Sequence, residues 1–233
     1  MADTLQIDAN TGLPTAVTEP ELGGSVVLPK ASGNAVKVDL NTPTYTWRDL
    51  RSPIGVDANS GGPSFTTFKG GIKQWQFQQT GGADEVFTEY HLDHDYVEGT
   101  DVFIHCHWAQ DTVDTGGTAS APGDVKWYFE VTYAKGHQQQ AFVANVTTSV
   151  VQTASGTQYM HNIAEVQLSA ASPTAAQIDT DDLEPDGLFL CRVYRDAADA
   201  ADTLGQPPFL LFVDLHYQSS NIGTKNKAPG FYT

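Results

Sequence analysis

Two histidines spaced two residues apart, His105 and His107, are the side chains best placed to do chemistry in this 233-residue sequence. On a β-strand such a pair projects from one face, the geometry in which a sheet offers two imidazoles to a single metal ion. They close the run 89–108, EYHLDHDYVEGTDVFIHCHW, which holds four of the seven histidines and several acids. Upstream, His91 and His94 interleave with Asp93 and Asp95. An acid–histidine pair can serve as a general base. No Gly-x-Ser-x-Gly elbow accompanies it, so a capped polar turn is expected.

The spacing extends beyond the pair. Gly99, five residues, His105-x-His107, three residues and then Asp111 resembles the first half of the metal motif of the cupins, with Asp where that family has Glu. The cupin pattern implies a later histidine behind a Gly…Pro-x-Gly stretch. His161 and His216 are the candidates, and neither follows such a stretch; His216 shares the polar side of VDLHYQ with Asp214. With no third ligand legible, His105 and His107 are expected on the less buried face of a sheet, bonded to neighbours such as Glu89 or Asp214. No metal and no cofactor are expected.

The acidic run 179–187, DTDDLEPDG, offers five carboxylates but not the spacing of a calcium-binding EF-hand, and reads as a solvated loop. A P-loop and a dinucleotide fingerprint are both missing, and a glycosidase carboxylate pair cannot be located from sequence. A non-enzymatic protein is expected.

The elements that hold these residues are strands. Val102, Ile104, Cys106 and Trp108 alternate with Phe103, His105 and His107 along 101–109. The same period of two recurs in 72–78, 85–92, 125–133, 141–151, 158–168, 188–195 and 209–217. Gly81-Gly82, Gly116-Gly117, Pro122-Gly123, Gly136, Ser155-Gly156, Pro185-Asp186-Gly187 and Pro207-Pro208 separate them. The expected fold is all-β: an eight-stranded antiparallel jelly-roll-like sandwich over 46–233, with an extended N-terminal arm at 1–45. The arm has two β-like patches, at 25–28 and 35–40. The Ala-rich stretch 196–204 reads as a solvated loop.

Composition narrows the partners. Twenty-eight acids against 12 Lys and Arg give a formal charge of −16, a field that repels phosphate backbones, so nucleic acid is not expected. No run approaches the roughly 18 apolar residues of a membrane span, and MADTLQIDANTG lacks a signal pattern, so the expectation is a soluble protein made in a cytosol without membrane contact. Cys106 and Cys191 are too few for a disulfide framework and read as buried thiols. The tail contrasts with the body: Lys225 and Lys227 precede Phe231 and Tyr232. Charge beside two aromatic anchors suits partner binding; the alternative is that the tail folds back over its own sheet.

Several segments, TWRDL (46–50), HDYVEGTDVFIHCHW (94–108), TYAKGH (132–137), LEPDGL (183–188) and VDLHYQSSNIGTKNKAPGFYT (213–233), resemble structural proteins of tailed-bacteriophage virions, in particular capsid cement or decoration proteins. The resemblance covers 46–233 and carries no catalytic residue. It implies a protein made in the host cytoplasm and carried on the outer capsid surface. There, as a homotrimer, it would bridge major-capsid-protein junctions and stabilise the head. Two alternatives stand beside it. One is a head-fibre or tail component binding host glycans, with Trp108, Trp127 and Tyr128 as sugar platforms. The other is a cupin-like metalloprotein.

Overall fold

The alternation read from the sequence becomes two stacked antiparallel sheets in the computed structural model, which describes residues 25–29, 34–39, 45–57, 62–112, 122–221, 223–224 and 226–231. The chain divides into two units, Met1–Tyr45 and Thr46–Thr233. In the first, β1 (Ser25–Pro29) pairs antiparallel with β2 (Asn34–Asp39). The segment expected to be an extended arm therefore carries a two-stranded ribbon at the two β-like patches.

The second unit is a β-sandwich. Its strands are β3 (Thr46–Arg51), β4 (Ser64–Lys69), β5 (Ile72–Gln76), β6 (Ala83–His91), β7 (Phe103–Ala109), β8 (Asp124–Ala134), β9 (Val146–Thr153), β10 (Asn162–Gln167), β13 (Leu188–Asp196) and β14 (Phe209–Ser219), with a minor parallel pair, β11 (Ser169–Ala170) and β12 (Ile178–Asp179). One sheet runs β10-β7-β14-β5-β4, with β3 also on β14; the other runs β6-β13-β8-β9. Among the described residues the only helical element is a single 3-10 turn, Thr180–Asp182. The sandwich is as expected. The eight expected strands are β5–β10, β13 and β14; β3 and β4 are additional, because TWRDLR and SFTTFK are mostly exposed and carry no clean alternation.

The inward faces make one core. Ile104, Cys106 and Trp108 of β7, Trp127, Phe129 and Val131 of β8, Phe189 and Val193 of β13, and Val213, Leu215 and Tyr217 of β14 are all buried. Each such side chain contributes about 1.5–3 kcal/mol of transfer free energy. Both cysteines are free and buried, and burial pushes both thiols up. Phe77 packs edge-on against Trp127 at 5.1 Å, and Trp108 Nε1 donates to Gln152 Oε1 at 2.6 Å.

One polar pair lies inside this core. Arg195 follows Phe189, Cys191 and Val193 on the inward side of β13, and both it and Asp202 have side chains 1% exposed. Arg195 Nε and Nη2 donate to the two Asp202 oxygens, each at 2.8 Å. The stretch 196–204 is a surface turn, as expected, but its end is anchored: the Asp202 side chain and Leu204 turn back into the body.

Candidate functional site

Cross-strand pairing brings the histidine pair to its neighbours. On the outward face of the six-stranded sheet, Glu165 of β10, His105 of β7, Asp214 of β14 and Arg51 of β3 share one transverse row. His107, two residues along β7, sits in the next row, between Ile163 and Phe212. Directly opposed side chains in such rows have Cβ atoms roughly 4.5–5.5 Å apart, which brings these groups into contact.

His105 and His107 are each 7% exposed and Asp214 3%, so this outward face is closed here. The expectation of a less buried face is corrected. Phe212 stacks on His107 at 3.9 Å, Arg51 lies 4.1 Å over the Phe212 ring, and Trp47 packs edge-on to His216 at 4.8 Å. Asp214 is a neighbour as expected; Glu89 is not, because β6 belongs to the other sheet.

The two imidazoles are held from behind. His105 Nε2 donates to Glu165 Oε2 at 2.5 Å, which fixes the proton on that nitrogen because an ionised carboxylate can only accept. His107 Nδ1 is hydrogen-bonded to His161 Nε2 at 2.7 Å. The front nitrogens face one carboxylate oxygen: Asp214 Oδ1 lies 3.6 Å from His105 Nδ1 and 3.3 Å from His107 Nε2. Among the described residues, neither His107 Nε2 nor Asp214 Oδ1 has a hydrogen-bond partner, since their approach lacks hydrogen-bond geometry. The candidate later histidines, His161 and His216, both reach the pair, His216 Nδ1 standing 3.4 Å from His105 Nε2. Asp111 belongs to neither metal-competent group among the described residues, so the cupin-like spacing does not describe the cluster.

The other half of the run 89–108 goes elsewhere. His91 Nε2 and His94 Nε2 approach Asp186 Oδ1 at 3.2 and 3.0 Å, and His137 Nε2 donates to Asp186 Oδ2 at 2.7 Å. Partial burial opposes the charge on Asp186, yet the His137 hydrogen bond and the surrounding imidazoles hold its carboxyl below the usual range. Asp186 is therefore not a freely solvated member of 179–187.

A groove of about 640 Å³ opens on the outward face of the four-stranded sheet. Its floor is two rows: Glu89, Leu190 and Thr132, then Phe87, Arg192 and Glu130. The wall is the chain after β3. Gly55 and Phe87 exchange both backbone hydrogen bonds at 2.8 Å, and Ser52 Oγ accepts from Glu89 N at 3.3 Å. Phe87 is 40% and Leu190 38% exposed. Arg192 is pinned across the floor, Nε to Glu85 Oε2 at 2.5 Å and Nη1 to Glu130 Oε2 at 3.0 Å, with its guanidinium 4.2 Å over Tyr194. Hydrogen bonds from Asn145 and then Arg192 hold the Glu130 carboxyl below the ordinary range. Tyr128 and Tyr194 continue the face as a parallel stack, 4.7 Å apart with an interplanar angle of 3°.

Sequence reasoning did not find this groove, because its polar lining residues each read as an ordinary outward strand position. Of the three aromatics proposed there as sugar platforms, Trp108 and Trp127 are fully buried and cannot serve; Tyr128 is on the outward face.

In the tail, Lys227 is exposed, whereas Phe231 is 4% exposed and packs against His94 with ring centroids 5.8 Å apart. Lys225 and Tyr232 lie outside the described residues.

No family model and no curated protein matches the chain. Among solved structures, it is similar to TmCBM61 in complex with β-1,4-galactotriose, at 11% identity and TM-score 0.29 over 72% of this chain and 86% of that one. The family 11 carbohydrate-binding module of Clostridium thermocellum, in complex with a mixed-linked tetrasaccharide, aligns at 13% identity and TM-score 0.32, covering 82% and 95%. The C-terminal family 22 carbohydrate-binding module of Clostridium thermocellum Xyn10B aligns at 11% identity and TM-score 0.29, covering 76% and 87%. Likeness at this level assigns neither a family nor a ligand.

Proposed function

We propose that this chain is a non-catalytic, glycan-binding β-sandwich carried on a phage particle as a head-fibre or tail component. The observation that carries the binding is the open groove over β6, β13 and β8. Its volume falls within the roughly 300–1,000 Å³ of small-molecule sites. A sugar ring presents apolar C–H faces and a rim of hydroxyls. Phe87 and Leu190 supply an apolar floor for the first. Glu89, Glu130, Arg192, Asn145 and Thr132 supply donors and acceptors for the second. Arg192 is already fixed by Glu85 and Glu130, so little side-chain freedom is lost on binding.

A glycan array followed by calorimetry on the best ligand tests this. Phe87→Ala should weaken binding about tenfold, the loss expected when roughly 1.4 kcal/mol of apolar and stacking contact is removed. An array without a hit, or a hit indifferent to Phe87→Ala, would remove the groove from the account.

The cement reading is supported by the segments resembling virion proteins and by a separate surface feature. Trp47, Phe65 and Ile72, on β3, β4 and β5 of the six-stranded sheet, are 46%, 53% and 62% exposed. Large apolar side chains in that state suit a protein–protein contact such as one with a major capsid protein or a second copy of the chain. Electron microscopy of particles, locating the chain on capsid faces or at fibres and tail, separates the two readings.

A further inference from the structure

We propose that His105, His107 and Asp214 form a zinc-binding site on the six-stranded sheet, separate from the groove. Three observations converge. The first is spacing. Zinc–nitrogen and zinc–oxygen bonds of about 2.0–2.1 Å place tetrahedral ligand atoms roughly 3.3–3.4 Å apart. Asp214 Oδ1 stands 3.3 Å from His107 Nε2 and 3.6 Å from His105 Nδ1, and all three ligand atoms lie within 4.8 Å of one another. Side chains can close such distances around an ion without moving the strands.

The second is the set of atoms left unsatisfied. Among the described residues, His107 Nε2 and Asp214 Oδ1 are buried without a hydrogen-bond partner, although they face each other at 3.3 Å. A buried polar atom left without a partner forfeits its hydration with nothing in exchange. With His105 protonated on Nε2, and with His107 in the tautomer that donates from Nδ1 to His161, the inward atoms are three lone-pair donors converging on one point. A cation satisfies all three at once. Among the described residues the surroundings supply surplus negative charge for it, Asp49, Asp214 and Glu165 against the guanidinium of Arg51.

The third is the support behind the ligands. Glu165 accepts from the far nitrogen of His105, and His161 bonds the far nitrogen of His107. A carboxylate on the non-ligating nitrogen orients the ring and raises its basicity, the arrangement that backs metal-bound histidines generally. The alternative grouping of Asp49, His105 and His216 lacks this logic. It would use His105 Nε2, which Glu165 already occupies, and its carboxylate is half exposed. Three protein ligands leave a fourth position for water, and the ion would fasten β7 to β14 across their shared ladder.

Zinc titration of chelator-stripped full-length protein by calorimetry, with cobalt(II) absorption as the geometric probe, tests the site. The expected result is one equivalent bound, a tetrahedral cobalt spectrum, and a zinc-dependent rise in Tm. Asp214→Asn should abolish binding, with its folded state checked by circular dichroism. Glu165→Gln, which leaves all three ligands in place, should weaken zinc roughly 10- to 100-fold. His94→Ala, in the separate Asp186 cluster, should change nothing. Binding of less than about a tenth of an equivalent overturns the proposal. So does loss of binding in Asp49→Ala with retention in Asp214→Asn. Glycan binding is measured on the same samples, so failure of the groove and failure of the metal site are read independently.

Discussion

Removing the carboxylate of Asp202 should be among the most damaging single changes in the sandwich. The side chains of Arg195 and Asp202 are both 1% exposed, and Asp202 accepts from Arg195 Nε and Nη2 at 2.8 Å and from the backbone N–H of Lys126 at 3.0 Å. Arg195 also donates to the carbonyls of Gln78 and Leu204. In Asp202→Ala the guanidinium keeps those two carbonyls and loses its counter-charge, which costs about 3–5 kcal/mol for a buried pair broken on one side. For a body of this size each kcal/mol moves Tm by about 2–4 °C, so the expected fall is about 6–20 °C. Urea denaturation and calorimetry of wild type, Asp202→Ala, Arg195→Met and the Arg195→Met/Asp202→Leu double variant form the cycle. The double variant should recover part of the loss, because neither member of the bonded pair is left stranded, although buried Asp84 still loses the nearby Arg195 charge. If Asp202→Ala costs less than about 1 kcal/mol, or the double variant is no better than the single, the pair is not the buried, mutually dependent unit described here.

Asp199 gives a pH prediction. A hydrogen bond from Tyr128, then bonds from Ala201 N and Lys126, hold its carboxyl down to about 2. A depressed folded-state value means that its stabilisation is present above the ordinary carboxylate range and is lost as pH falls from about 4 towards 2. Asp199→Asn should flatten that part of the stability–pH curve, and a carboxyl NMR titration of Asp199 at its ordinary value would contradict the assignment. Gly187 is fixed by packing: a Cβ there would overlap the Tyr133 ring and its Oη. Gly187→Ala should therefore destabilise by about 1–3 kcal/mol or more, read as a lower urea midpoint, and Tyr133→Phe should relieve part of that cost.

How much of this was legible follows from which signals are local. The period of two placed β6, β7, β8, β13 and β14, and put His105 and His107 on one face and Asp214 beside His216. That β7 and β14 are neighbours is a matter of strand order, which the sequence does not print, so the cluster could not be assembled from the pattern. The same alternation already grouped Trp108 and Trp127 with core residues, and that argument outweighs their appeal as sugar platforms. For the Asp202 turn the signal was present in Arg195. It occupies an inward position after Phe189, Cys191 and Val193, and an inward cation requires a partner nearby. The groove had no such signal, because its shape depends on the Ser52–Gly55 wall reaching β6 from the opposite sheet.

The position of β14 bears on how the sheet is made. This strand pairs with β7 on one side and with β5 and β3 on the other, so residues 46–51 meet partners at 214–219. On a growing chain, β3, β5 and β7 are synthesised long before the strand that joins them. Until it arrives, β7 offers an unpaired edge, and the apolar faces intended for the core have no lid. Closure over such sequence distances is slow, and the waiting edges invite association with other chains. Shortening the chain before residue 219 should thus stall assembly of the whole six-stranded layer rather than trim one margin, and the arrival of β14 becomes the step at which this sandwich commits to its fold.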